Sequence, residues 1–132
     1  MNLSQRIRIG SGGLYEDSVG YSRVVAAGPF VYVAGTTAGS DGSPIPADCK
    51  SQTRQTMDII QRKLEQVNVP LDEVVRVRIF VTDIKRDWKA IGEVMNSYFA
   101  GNKPAITMVQ IDALIEDEMC IEIEVDALRK SV

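Results

Sequence analysis

The segment Met119-Cys120-Ile121-Glu122-Ile123-Glu124-Val125 alternates with a period of two. Met119, Ile121, Ile123 and Val125 fall on one side and Cys120, Glu122 and Glu124 on the other, the pattern of a strand buried on one face only. Just before it, Lys103-Pro104-Ala105-Ile106-Thr107-Met108-Val109-Gln110-Ile111 reads as another strand opened by a proline. A sheet built from such strands needs helices on one face and leaves a polar face that must be solvated, covered by another chain or used. A carboxylate among β-branched neighbours on that face is solvated, paired across the sheet, or held in a pocket where its pKa can be exploited. Those three outcomes imply different functions.

Upstream, Arg6-Ile7-Arg8-Ile9 predicts a short first strand, followed by a flexible glycine-rich loop that runs through Glu16-Asp17-Ser18 to Gly20. Val24-Val25-Ala26-Ala27 and Phe30-Val31-Tyr32-Val33-Ala34-Gly35 flank Gly28-Pro29 and predict a hairpin. Thr53, Met57, Ile60, Leu64 and Val67 share one helical face, predicting a helix from about Ala47 to Asn68 that Pro70 stops. Val75, Val77, Ile79 and Val81 alternate with Arg76, Arg78 and Phe80 in a further strand, with the valines and isoleucine expected under helices. Trp88, Ile91, Met95 and Tyr98 mark the buried side of a second helix that Gly101 ends. The order predicts an α+β fold: a mixed six-stranded β-sheet with two α-helices packed on one face, in a single domain spanning residues 1–132. The other face, with Arg76, Arg78, Phe80, Cys120, Glu122 and Glu124, is mixed yet carries a large aromatic, so closure by further copies in a cyclic oligomer is expected.

The chain has 132 residues, no histidine and a formal charge of -3. Missing histidine removes the commonest neutral-pH base and the commonest metal ligand, so no cofactor and no metal are expected. The acidic balance and the scattered Lys and Arg argue against a nucleic-acid partner, and no apolar run is long enough for a membrane partner. Cys49 and Cys120 lie far apart in sequence and are read as reduced thiols in a cytoplasmic protein.

Several motifs, in order, resemble the RidA/YjgF family of enamine/imine deaminases, also labelled L-PSP endoribonucleases. They are Gly20-Tyr21-Ser22, Tyr32-Val33-Ala34-Gly35, Gln52-Thr53-Arg54-Gln55, Phe80-Val81-Thr82-Asp83 and Ile121-Glu122-Ile123-Glu124. The resemblance implies a homotrimer with a central barrel and a small-molecule pocket at each subunit boundary. It also implies that Glu122 is the catalytic residue that positions or activates the hydrolytic water. Active family members carry an arginine in a proline-alanine-arginine-serine motif to grip a substrate carboxylate; here the motif reads Pro104-Ala105-Ile106-Thr107. Isoleucine cannot supply that fork of donors. Ala34 in place of serine, and Met108 where cysteine or threonine is usual, remove further polar groups from the same neighbourhood.

The substrate-binding candidates are therefore Tyr21, Gly35, Arg78, Ile106, Thr107 and Met108. Arg78 is either a relocated anchor for a ligand anion or a cross-strand partner of Glu122 or Glu124. Tyr21 is either a phenol at a pocket mouth or an aromatic packed on the hairpin, and Thr107 either a ligand contact or a strand former. Gly35 marks a close approach to a ligand or a neighbouring strand, while Cys120, with no histidine to activate it, is read as packing. Two functions follow: a hydrolase acting on an imine, enamine or related carbonyl metabolite, with little turnover of 2-aminoacrylate, or a non-catalytic trimer that binds a small metabolite, a carboxylate among the candidates. Endoribonuclease activity ranks third, since the chain lacks both a histidine and a basic-aromatic platform.

Overall fold

In a computed structural model describing residues 5–10 and 12–131, the chain forms one mixed sheet with two long helices on one side. The strands are β1 (Arg6–Ile9), β2 (Val24–Ala27), β3 (Phe30–Thr36), β4 (Val74–Val81), β5 (Ala105–Gln110) and β6 (Ile121–Leu128). The helices are α1 (Glu16–Val19), α2 (Cys49–Glu65) and α3 (Ile84–Phe99). The sheet order is β1-β2-β3-β6-β4-β5, antiparallel throughout except for the parallel β4–β5 pair. The expected six-stranded α+β architecture is the one observed.

Local chemistry sets the helix limits. Asp48 caps α2 by accepting a hydrogen bond from the Ser51 N–H at 2.9 Å, satisfying one of the donors that a first turn leaves over. At the other end Asn68 adopts a left-handed φ of 59°, a conformation asparagine tolerates better than most residues. α2 is therefore shorter at both ends than the apolar periodicity suggested. Asp83 caps α3 in the same way, accepting from the Arg86 N–H at 3.2 Å. The segment expected to be a flexible loop at Glu16-Asp17-Ser18 instead closes a single helical turn, α1, ended by Gly20 at φ 87°.

Met57, Ile60 and Leu64 of α2 and Ile91, Met95 and Phe99 of α3 lie on a sheet face built from Val24, Ala26, Val31, Val33, Val77, Ile79, Val81, Ile121, Ile123 and Val125. Full burial of each of these Val, Leu, Ile, Met and Phe side chains contributes roughly 1.5–3 kcal/mol before chain entropy is counted. Two details of the alternation differ from expectation. The β4–β6 register shifts between Val74 and Arg76, so Val74 rather than Val75 enters the core and Val75 is half exposed; a bulge adds one residue and moves the alternation to the other face. Trp88, expected in the core, is 51% exposed beside the β5 edge.

The third difference concerns sulfur. Cys49 and Cys120 form a disulfide with a Cα–Cα separation of 5.9 Å, which corrects the reduced-thiol expectation. A separation of 71 residues concealed the contact, because α2 folds back so that its first turn meets the approach to β6. Gln52 holds the same junction: its side chain accepts from the Cys120 N–H at 3.0 Å and donates to the carbonyls of Pro46 and Glu118, each at 2.8 Å. Cys120 thus turns toward the helices and Met119 away from the helix side, the reverse of simple alternation, which begins only at Ile121.

The sheet face opposite the helices is open. Phe30 and Leu128 sit opposite one another across β3 and β6, each about half exposed, and Tyr32 lies on the same face.

Candidate functional site

Glu122 is the second residue of β6 and points away from the core that Ile121 and Ile123 enter. Beside it, the β3–β6 register shifts between Val33 and Thr36, so β3 carries an extra residue next to the carboxylate. Gly35 lies in that irregular stretch. A Cβ at position 35 would overlap Glu122 Oε1 and lie 2.9 Å from Cδ, so the missing side chain is what gives the carboxyl group its place. The close approach expected at Gly35 is therefore to Glu122 itself. Gly35→Ala should cost about 1–3 kcal/mol of stability by overpacking, with Glu122 rotated out of its place as the cheaper relief. A crystal structure of the variant checks this; an unmoved Glu122 carboxyl would contradict it.

Arg23, a residue to which the sequence assigned no role, underlies the same site. Its position opposite Ala34 is set by the Ala34 N–H donating to the Arg23 carbonyl at 2.9 Å. The side chain is 2% exposed. Its Nη1 donates to the carbonyls of Ala34 (3.3 Å) and Gly35 (2.5 Å) and to Thr36 Oγ1 (3.0 Å). Nη2 donates to the Tyr21 hydroxyl at 3.1 Å, and the guanidinium lies 5.1 Å from the centre of the Tyr21 ring. A buried cation is costly unless its donors are satisfied. Here the distorted end of β3 supplies most of the acceptors, leaving only Nε buried without a partner.

The Glu122 carboxyl is half-buried and has no hydrogen-bond partner among the described residues. Burial pushes its pKa above the usual carboxylate range; the positive charge of Arg23 works in the opposite direction and the negative charge of Glu124 adds to the rise. The result is a group able both to take and to return a proton closer to neutrality than an exposed glutamate.

Glu122, Arg23, Tyr21 and Gly35 line one cleft of about 690 Å³, within the size range of small-molecule sites. Leu14, Tyr15 and Val19 from the α1 region and Ile115, Glu116, Glu118 and Met119 from the approach to β6 complete its mouth. The Tyr15 hydroxyl donates to Glu116, joining the two sides. Among the described residues, no group of three or more His, Cys, Asp and Glu is placed to hold a metal ion.

Of the expected site residues, the fold brings together Tyr21, Gly35 and Glu122. Arg78 lies elsewhere in the chain's own fold. Its Nη1 bonds Asp126 at 3.1 Å and lies 3.4 Å from Glu124, and it does not line the cleft. The register places it opposite Glu124, which is the cross-strand pairing, and within one chain its guanidinium stands apart from the Glu122 cleft. Ile106 and Thr107 lie exposed on β5, an edge strand separated from β6 by β4. Met108 instead packs with Ile84, Lys85 and Trp88 around a separate shallow cleft. Within one chain none of these three reaches Glu122.

Fold and cleft together define an α+β protein with a small-molecule-sized pocket centred on a carboxylate. Residues 15–129 match the family model described as Endoribonuclease L-PSP, and the chain belongs to that family, also called RidA/YjgF. A RutC family protein of Pyrococcus horikoshii is 33% identical over 112 residues, covering 83% of this chain and 87% of the relative. A crystal structure from Mycobacterium tuberculosis, described as a member of the YjgF/YER057c/UK114 family, superposes with a TM-score of 0.86 at 44% identity, covering 94% of this chain and 99% of the other. The mitochondrial protein mmf2 of Schizosaccharomyces pombe is 33% identical over 89 residues, 67% of this chain and 70% of its own.

Proposed function

We propose that the chain hydrolyses the C=N bond of a small imine, or of the enamine that tautomerises to it, in the cleft around Glu122. One observation carries this reading: a carboxyl group with a raised pKa stands in a pocket with no hydrogen-bond partner among the described residues. Glu122 takes a proton from a water whose oxygen bonds to the carbon of the protonated imine, and the π electrons move to nitrogen. The resulting carbinolamine collapses after Glu122 returns the proton to nitrogen: the hydroxyl gives up its proton to the re-ionised Glu122, its electrons form the C=O bond, the C–N bond breaks, ammonia leaves and a carbonyl product remains, with the proton passing from Glu122 to ammonia or solvent. Proton transfer by a placed side chain of this kind contributes about 10²–10⁴-fold. The test is ammonia release from an imine generated in place by an amine or amino-acid oxidase, compared with the same mixture without the protein. No acceleration over that control would sink the reading.

A non-catalytic, metabolite-binding role is the second reading, favoured by Ile106 standing where active members carry an arginine and by Arg78 being held by Asp126 and Glu124. Saturable ligand binding without turnover would select it. An endoribonuclease role ranks last: among the described residues lining the cleft, Arg23 is the only basic one, leaving little to attract a phosphate backbone.

A homotrimer is part of the proposal. It would cover the open sheet face with Phe30, Tyr32 and Leu128, and it is the arrangement through which Ile106, Thr107 and Met108 of one copy could border the Glu122 cleft of the next. Light scattering in dilute buffer should give three times the 14.5 kDa chain mass; a monomer persisting at micromolar concentration would refute this. Among the described residues no helix is long and apolar enough to cross a membrane. Cytoplasmic residence stays within the proposal, to be read by fractionation, but the cysteines no longer argue for it.

A further inference from the structure

The lining of the Glu122 cleft has a charge and a polarity that bear on its occupant. Glu116, Glu118 and Glu122 present three carboxylates to it, and Arg23 is its one cation among the described residues. That cation is engaged elsewhere. Nη1 and Nη2 are bonded to the Ala34 and Gly35 carbonyls, Thr36 and Tyr21, and Nε is sealed from solvent. A carboxylate grip needs a free, parallel pair of donors, and among the described residues of one chain no exposed arginine or lysine lines the space.

The rim is apolar. Leu14, Val19 and Ile115 are 82%, 68% and 63% exposed, and all three border the same opening. Large apolar side chains left in water around one cleft mark a surface that an apolar group covers.

We infer that the cleft takes a cationic or uncharged imine bearing an apolar substituent and no carboxylate, with its nitrogen facing Glu122 and its apolar group against Leu14, Val19 and Ile115. This rests on the hydrolytic reading above for the reaction, but on the charge and polarity of the wall for the ligand. A protonated C=N nitrogen is attracted by the three carboxylates. An α-carboxylate on the same molecule meets like charges, with no free fork among this chain's described lining residues to offset them. The hydrolysis is the one already balanced: water and the imine give a carbonyl compound and ammonia, here an apolar aldehyde or ketone in place of a 2-oxo acid.

The test uses three stable probes of one carbon skeleton on the intact protein. They are 3-methylbutylammonium, leucine, which adds the α-carboxylate, and 4-methylpentanoate, which has only the carboxylate. Calorimetry at neutral pH should show the ammonium binding at least about tenfold tighter than leucine, and no saturable binding of 4-methylpentanoate. Glu116→Gln/Glu118→Gln should narrow the first ratio. Equal or tighter binding of either carboxylate, or saturation by none of the probes, overturns the inference. Turnover is read in parallel on the imines that oxidases make from 3-methylbutylamine and from leucine. Selective ammonium binding without acceleration of either hydrolysis upholds the ligand class and removes the hydrolytic reading. Faster hydrolysis of the leucine-derived imine does the reverse.

Discussion

Glu122→Gln is expected to abolish ammonia release by about 10²-fold or more while raising the melting temperature at neutral pH. Both effects come from one physical cause. The carboxyl is partly withdrawn from water with no donor to hold its charged form, so its pKa is raised. A folded-state pKa above the unfolded value means that stability from this group is fully present below the unfolded pKa and is lost as pH rises through the folded one. At neutral pH the wild type therefore carries the cost of an ionised, desolvated carboxylate, and the neutral amide of the same shape does not. Thermal melts should show the variant more stable at pH 7, with the difference shrinking as the pH falls into the carboxylate range. The wild-type rate, needing the ionised base, should climb with pH through a midpoint above that of an ordinary glutamate. A variant that keeps full turnover would take the proton-transfer role away from Glu122. One that melts lower than wild type at neutral pH would mean the carboxylate has a donor that the fold does not reveal.

What could be read from the sequence was whatever repeats with the period of an element. Ile121, Ile123 and Val125 face the helices as their alternation required, and Met57, Ile60 and Leu64 meet them from α2. Legibility failed where one inserted residue or one distant contact breaks the period. The bulge beside Val75 moved that valine into solvent, and a one-residue insertion leaves no trace in a run of valines and isoleucines. The Cys49–Cys120 pairing depends on how α2 returns to the start of β6, a tertiary fact. Arg78 lies on the face that its alternation predicts, but Asp126, one turn of the pleat beyond Glu124 on β6, is its nearer acid.

The site was legible in its polar centre and not in its support. Glu122 stood out through the resemblance of Ile121-Glu122-Ile123-Glu124 to the family motif, whereas alternation alone reads it as an exposed strand carboxylate. Gly35 could be suspected because glycine inside a strand lacks a side chain to pack, although its partner could not be named. Arg23 gave no such signal. It reads as the polar residue before an apolar strand, and only the irregular end of β3, turning the Ala34 and Gly35 carbonyls toward one point, makes a burial site for a guanidinium. Its spacing of two from Tyr21 puts both on one side of an extended segment, the one clue available.

Arg23→Met should be the most destabilising substitution in the site. The apolar chain fills similar volume but leaves the Gly35 carbonyl and Thr36 Oγ1 without the donor that now reaches them, and the Tyr21 hydroxyl loses its contact. Buried acceptors left unsatisfied cost about 1–3 kcal/mol each, partly offset because a buried cation no longer has to be desolvated. A net loss of about 3 kcal/mol, roughly 10 °C in melting temperature for a chain of this size, is expected. A second consequence separates support of Glu122 from packing alone. The positive charge of Arg23 lowers the pKa of Glu122 against the larger effect of burial, so its removal lets that pKa rise further and moves the pH–rate profile to higher pH. Arg23→Lys keeps a charge but offers a single ammonium point in place of a planar fork. It should recover part of the profile shift and little of the stability. If both variants melt lower yet leave the pH profile where the wild type has it, Arg23 holds up the strand and has no electrostatic hold on Glu122.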